Sequence, residues 1–333
     1  MLEGGSILST IEYATLYADK KPEDNIIITN MFKNCVKINI GWTKSDIEHN
    51  MSIVDRLITV DGINQIIIAG FEIGWDEFVV SIKKKYRDVK VKVICNTNDS
   101  LLYYEYERDN FFKLLGLSQN SVVDDIAFFR KGQYEVYKNI GYKCSYVLEN
   151  FILNKDKKEI TTNDDNIPRI GIYPLNYTWD KNIFNQLCIA KFVENSCLNY
   201  NNLDERMDDF LSEMKIKSCA DRIDEINEES LIKAIVKNDV IVSTSFTEYV
   251  HPIFFISMEL GIPCLIGNNS DFFDKDSELA KYVVTDAEDN AIINSNMIKK
   301  MLDNRELINK LYIEWKKEYN QKSQKSIIEF IEK

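Results

Sequence analysis

Short apolar runs alternate with helical patterns twice along this chain, and few folds accommodate that. In the first half "NIIITN" (25–30), "QIIIAG" (65–70), "KVKVICN" (90–96), "DDIAFF" (124–129) and "CSYVLEN" (144–150) read as strands, because short apolar runs bounded by polar residues mark buried strands. Between them, "WDEFVVSIKKKYR" and "LLYYEYERDNFFKLLGL" space their apolar residues as helices do. Strands buried on both faces and joined by helices form parallel sheets. "NKDKKEITTNDDNIP" (154–168) interrupts the pattern with a polar, charged stretch and reads as a linker. From "RIGIYPL" (169–175) the alternation restarts and runs through "SCLNY", "LDERMDDFLSEM", "IKSCA", "EESLIKAIVKN", "DVIVSTS", a helix from Pro252 to Leu260 and "PCLIG". The expectation is an α/β chain of two Rossmann-like domains with parallel sheets, over residues 1–153 and 169–310. In a terminal helix over 311–333, Leu311, Trp315 and Tyr319 share an apolar face. Such a face covers a core edge or packs back on the N-terminal domain.

Bulk properties narrow the function. At 333 residues the chain exceeds what one core usually serves. A net charge of −12 supplies no basic surface for a phosphate backbone, so nucleic acid is not an expected partner. Seven scattered cysteines without a CxxC pair read as reduced thiols in a cytoplasm, with no zinc site. No apolar run approaches the roughly 20 residues that cross a bilayer, and the N-terminus lacks a basic region followed by an apolar core.

Ligands of open parallel sheets bind outside the carboxyl ends of the strands, so chemistry is sought in those loops. "PLNYTWDKN" (174–182) puts Lys181 at a helix start, a position the helix dipole disfavours for a cation. A nearby diphosphate accounts for it; an ordinary solvated lysine does so too. "STSFTEYVHP" (243–252) offers Glu248 as an acceptor for hydroxyls or as a capping carboxylate. His251 fits a capping or half-buried role better than catalysis. Pro252 suits the first helical turn, where its missing N–H is harmless and the free N–H groups ahead of it can hold an anion.

In order and spacing, "EESLIKAIVKNDVIVSTSFTEYVHPIFFISMELGIPCLIG" resembles the C-terminal lobe of GT-B glycosyltransferases of the family 4 type, through Asp239, Val240, Ser245, Glu248, Gly261 and Pro263. "RIGIYPLNYTWDKNIFNQLCIAKF" is similar to the first strand and loop of that lobe, with Lys181 at the diphosphate-binding lysine. "GGSILSTIEYATLYADKKPEDNIIITN" is similar to the Gly-Gly loop and first helix of the N-terminal lobe, with no obvious strand before Gly4 and Gly5. Two departures stand out. Ile256 occupies the place of the ribose-binding glutamate, with Glu259 one turn beyond, and Asn176 or Leu175 occupies that of the diphosphate-binding arginine.

The resemblance implies two lobes facing across a cleft and transfer of a sugar from a UDP- or GDP-sugar to a glycan, lipid-linked or protein acceptor, with retention, without a metal and without a permanently bound cofactor. It implies catalytic roles for Glu248 and Lys181 and donor contacts from Asn176, Ser245, Thr247, Tyr249, His251 and Glu259. Gly4, Gly5, Asn96 and Asn98 fall on the acceptor side, where a structural turn is the alternative role. It leaves room for peripheral membrane association, for a partner glycosyltransferase and for a homo-oligomer. Two other functions stay open, an inert GT-B module that binds a partner transferase or acceptor protein, and an epimerase-like enzyme. With no obvious strand before Gly4 and Gly5, two readings stay open, an absent first strand or a chain that starts inside a longer protein.

Overall fold

A computed structural model describes residues 12–18, 22–39, 43–153, 167–221, 223–248 and 250–333. Gly4, Gly5, Tyr249 and residues 154–166 of the expected linker lie outside the described residues. The chain divides into two compact units, Met1–Glu149 with Gln321–Lys333, and Asn150–Asn320.

The first unit holds strands β1 (Tyr13–Tyr17), β2 (Cys35–Lys37), β3 (Gln65–Ala69), β4 (Lys90–Ile94), β5 (Asp125–Phe128) and β6 (Cys144–Tyr146). Its helices are α1 (Pro22–Met31), α2 (Lys44–Thr59), α3 (Trp75–Lys85), α4 (Glu105–Gln119) and α5 (Lys131–Asn139). The six strands lie in the order β2-β1-β3-β4-β5-β6, every pair parallel. Ile66, Ile67, Ile68, Val91 and Val93 are all fully buried, as they must be where helices cover both faces of a sheet.

Two elements near the start correct the sequence reading. "NIIITN" lies within helix α1, not a strand. Three consecutive isoleucines cannot by themselves separate a buried strand from a buried helix, and Pro22 at the head of the run suits a helix start. "YATLY", expected within the first helix, is instead strand β1, paired on both sides by β2 and β3. Its tyrosines and threonine favour a pleated, buried surface. The first described strand therefore follows Gly4 and Gly5 in the chain.

The second unit holds β7 (Arg169–Ile172), β8 (Cys197–Asn201), β9 (Ser218–Asp221), β10 (Val240–Ser243), β11 (Cys264–Gly267) and β12 (Val284–Thr285). Its helices are α6 (Ile183–Ile189), α7 (Glu205–Glu213), α8 (Glu228–Ile235), α9 (Pro252–Glu259), α10 (Ala280–Val283) and α11 (Ala291–Asp303). The sheet order is β12-β11-β10-β7-β8-β9, again parallel throughout. From β7 the chain winds outward through β8 and β9, then returns to β10 on the other side and winds outward again, the doubly wound Rossmann order.

Local chemistry fixes these elements. Asn227 and Ser230 form a reciprocal capping box that starts α8. Helix α9 begins on Pro252 and is buried from Pro252 to Met258, so it lies wholly within the core. The central strand β7 leaves no room at Gly171, where a Cβ would come within 2.5 Å of Ile241 Cδ1, 2.7 Å of Tyr173 Cε2 and 2.8 Å of Asn238 Cγ. Gly171→Ala is expected to destabilise this unit by about 1–3 kcal/mol through overpacking. A denaturant midpoint that does not move would show that the sheet yields there at no cost.

The last helix, α12 (Arg305–Glu332), contributes to both units. In the second, Trp315 stacks on Tyr319 with ring centres 4.4 Å apart, within a cluster that includes Phe254, Phe255, Phe272 and Phe273. In the first, Phe330 meets Phe32 edge to face.

Candidate functional site

The sheet of the second unit reverses its winding between β7 and β10, and at such a switch point the loops leaving the two strands part to form a crevice. Lys181 lies in the loop after β7, at the end of a short 3-10 turn Trp179–Lys181 and just ahead of α6. Glu248 lies in the loop after β10.

The two loops are stitched together. Asn182 adopts the left-handed conformation (φ 53°), and its side-chain amide donates to Thr244 O (2.9 Å) and Glu288 O (2.7 Å). The backbone N–H of Phe246 donates to Asp180 O at 2.8 Å. As a result Lys181 Nζ sits 2.5 Å from Glu248 Oε1, with side chains only 12% and 16% exposed. Asp180 Oδ2 is 3.8 Å from the same ammonium, and Asp180 Oδ1 is buried without a hydrogen-bond partner. Burial pushes the Glu248 carboxyl up, but the Lys181 charge, His251 and hydrogen bonds from Lys181 and Ser245 outweigh it, so its pKa lies below the usual value. Glu248 is therefore held as a carboxylate, and the pair offers an amino group to an anion and a carboxylate to hydroxyl groups.

Other residues named from the sequence are placed around this pair or away from it. The backbone carbonyl of Ser245 accepts from Asn269 Nδ2 (2.5 Å), and Asn269 Oδ1 lies 3.5 Å from Nε2 of the buried His251. The imidazole also meets the ring of Phe272 at 4.7 Å. Thr247 is half-buried beside Glu248. Asn176 Oδ1 accepts from Thr178 Oγ1 at 2.7 Å and shapes the turn that leads to Lys181.

Glu259 is not brought to these loops. It accepts from Tyr312 Oη of α12 at 2.7 Å and lies 3.6 Å from Lys316 Nζ. Ile256 is fully buried within α9, so an ionised side chain at that position would carry a large desolvation cost.

In the first unit, Asn96 and Asn98 follow β4. Asn96 Oδ1 accepts from Phe71 N at 3.1 Å, beneath Gly70, whose φ of 82° and close approach suit glycine. Asn98 caps a 3-10 turn by accepting from Leu101 N at 3.2 Å.

Sequence reading passed over Asp180, Asn182 and an aromatic pair that the same loops present to solvent. Trp179 is 55% and Phe246 41% exposed, with ring centres 6.3 Å apart. The available signal was an asparagine directly after the lysine, since asparagine is among the few residues that tolerate the left-handed region. Among the described residues no group of three or more His, Cys, Asp or Glu is placed to hold a metal ion, and no helix is long and apolar enough to cross a membrane.

No family model matches the sequence, and no curated protein matches it. Solved structures do match the fold. Sucrose-phosphate synthase from Thermosynechococcus elongatus is 10% identical over 94% of this chain and 86% of its own, with a TM-score of 0.64. HepE of Anabaena, solved in complex with UDP, is 12% identical over 97% of this chain and 100% of its own, with a TM-score of 0.65. The lipopolysaccharide outer core galactosyltransferase WaaB, in its apo form, is 12% identical over 95% of this chain and 98% of its own, with a TM-score of 0.58. At these identities the likeness establishes the fold, that of the GT-B glycosyltransferases.

Proposed function

We propose that the chain is a glycosyltransferase that takes a nucleotide-sugar donor on the loops of its second unit and passes the sugar to a glycan, lipid-linked or protein acceptor. The observation that carries this reading is the Lys181–Glu248 pair at the switch point between β7 and β10. Cleaving the bond between the sugar and the nucleoside diphosphate leaves negative charge on the departing phosphate oxygen. Lys181 and the positive end of the α9 dipole suit that charge, while Glu248, released by the lysine, accepts hydrogen bonds from hydroxyls of the sugar. Positioning and charge stabilisation of this kind call for no metal, and a retaining outcome would have the acceptor hydroxyl attack from the face that the diphosphate leaves.

HepE has been solved with UDP and with UDP-glucose, so uridine donors carrying a hexose are the first to test. The first unit, with Asn96 and Asn98 after β4, would take the acceptor. None of the seven cysteines forms a disulfide, in keeping with a reducing cytoplasm.

The test supplies UDP- and GDP-hexoses with and without glycan acceptors and follows nucleoside diphosphate release. Acceptor-dependent release that Glu248→Gln abolishes is the expected result. A new nucleotide sugar formed without acceptor would instead indicate an epimerase, and no turnover under any condition would favour the inert module.

A further inference from the structure

A nucleoside diphosphate presents more acceptor oxygens than one ammonium can bond, and the Lys181 ammonium already donates to Glu248 and faces Asp180. Among the described residues from the ends of β7, β8 and β10 to the first turns beyond them, the one other Lys or Arg is Arg206, near the start of α7. Strand β8 lies beside β7, so α7 begins at the same carboxyl edge of the sheet as the loop that holds Lys181.

Arg206 reaches that loop. Its guanidinium carbon stands 4.8 Å from the ring centre of Tyr177, and Tyr177 belongs to the segment that ends in Lys181. Its edge is fixed by Asp204, which accepts from Nε at 2.7 Å and from Nη2 at 2.8 Å. A guanidinium has five N–H donors; two are used here, and three remain for an anion. The side chain is 65% exposed, and an exposed ion pair adds little to stability. Fold stability therefore does not explain a guanidinium held both on its face and on its edge. A planar fork with its orientation already set is, by contrast, what bidentate recognition of phosphate requires.

We propose that Arg206, oriented by Asp204 and Tyr177, gives its three remaining N–H donors to the diphosphate of the donor, acting alongside Lys181. This rests on the donor-binding reading above. The backbone N–H of Arg206 donates to Asp204 Oδ1 at 2.9 Å as the cap of α7, so changing the side chain leaves that cap in place.

The test is calorimetric titration with UDP, GDP, UMP and GMP. Wild type is expected to bind one diphosphate at least about tenfold more tightly than its monophosphate. Arg206→Gln is expected to lower that diphosphate affinity by roughly tenfold and the monophosphate affinity by less than about twofold. Arg206→Lys restores part of the loss, because an ammonium keeps the charge without the fork. Tyr177→Leu, which frees the guanidinium face, gives an intermediate loss. A wild type that binds diphosphate beside an Arg206→Gln variant of equal affinity overturns this inference and leaves the donor-binding reading intact. A wild type that binds neither UDP nor GDP overturns both.

Discussion

Lys181→Met is expected to lower sugar transfer by at least about a hundredfold, the scale of losing one preorganised charge-stabilising group, and to destabilise the second unit by about 3 kcal/mol. The two effects have one cause. Lys181 and Glu248 are both mostly buried and within hydrogen-bonding distance, and removing one member strands the other as an uncompensated buried charge.

The pH dependence separates that cause from simple loss of packing. In wild type the Glu248 carboxyl is held below its ordinary value. Its contribution is therefore fully present above the unfolded pKa and is lost as pH falls through the folded one. In the variant, burial acts without the lysine and pushes the carboxyl up, so the variant should regain stability as pH falls and Glu248 takes a proton. Denaturation midpoints measured between neutral and acid pH should therefore converge. Lys181→Met combined with Glu248→Leu should recover stability and leave transfer absent. Transfer by Lys181→Met within about threefold of wild type, far inside the loss expected for such a group, would remove Lys181 from the chemistry.

The second large effect lies in the first unit. Lys92, on β4, is 1% exposed, and its ammonium donates to Phe330 O and, at 3.0 Å, to Ile331 O. These carbonyls belong to the last turn of α12, where intrahelical partners run out and a cation is favoured. Burial nevertheless brings the Lys92 ammonium down to about 8, against the opposing pull of Asp125. Between that value and the ordinary 10.5, the unfolded chain holds a proton that the folded chain has released, so wild-type stability should rise with pH across this window. The full rise from such a shift is about 3 kcal/mol.

Lys92→Met should lack the rise. At neutral pH two effects of the substitution oppose each other, loss of two hydrogen bonds and relief of a buried charge, so the difference between the proteins is modest there and widens toward pH 10. Urea denaturation of both proteins from pH 7 to 10.5 measures it; parallel curves would show that Lys92 does not titrate in this range.

What the residues revealed beforehand follows from how locally each feature is encoded. β3, β4, β5, β7 and β10 are apolar runs bounded by turn residues, and their period is enough to identify them. β1 and α1 are not of that kind. "YATLY" has no strict alternation, and Ile26, Ile27 and Ile28 suit either state; what settles them is that the sheet takes Tyr13–Tyr17 between β2 and β3. The two-residue strand β12 and the helix α11 carried too weak a pattern to be singled out.

At the site, Lys181 and Glu248 could be named one by one from their loops. Their contact could not, because it depends on β10 pairing with β7 across all the chain between them. The stitching by Asn182 and the approach of Arg206 to Tyr177 are likewise properties of strand order. The absence of a glutamate at Ile256 acquires a physical reason once α9 is seen to be buried from Pro252 to Met258.

The Lys181–Glu248 pair is expected to open as it receives a nucleotide sugar, and a crystal structure with a soaked nucleoside diphosphate would display this. Lys181 Nζ should then be withdrawn from Glu248 and within about 3 Å of a phosphate oxygen, with the diphosphate lying across the loops after β7 and β10. A diphosphate bound elsewhere, with Lys181 still on Glu248, would contradict it.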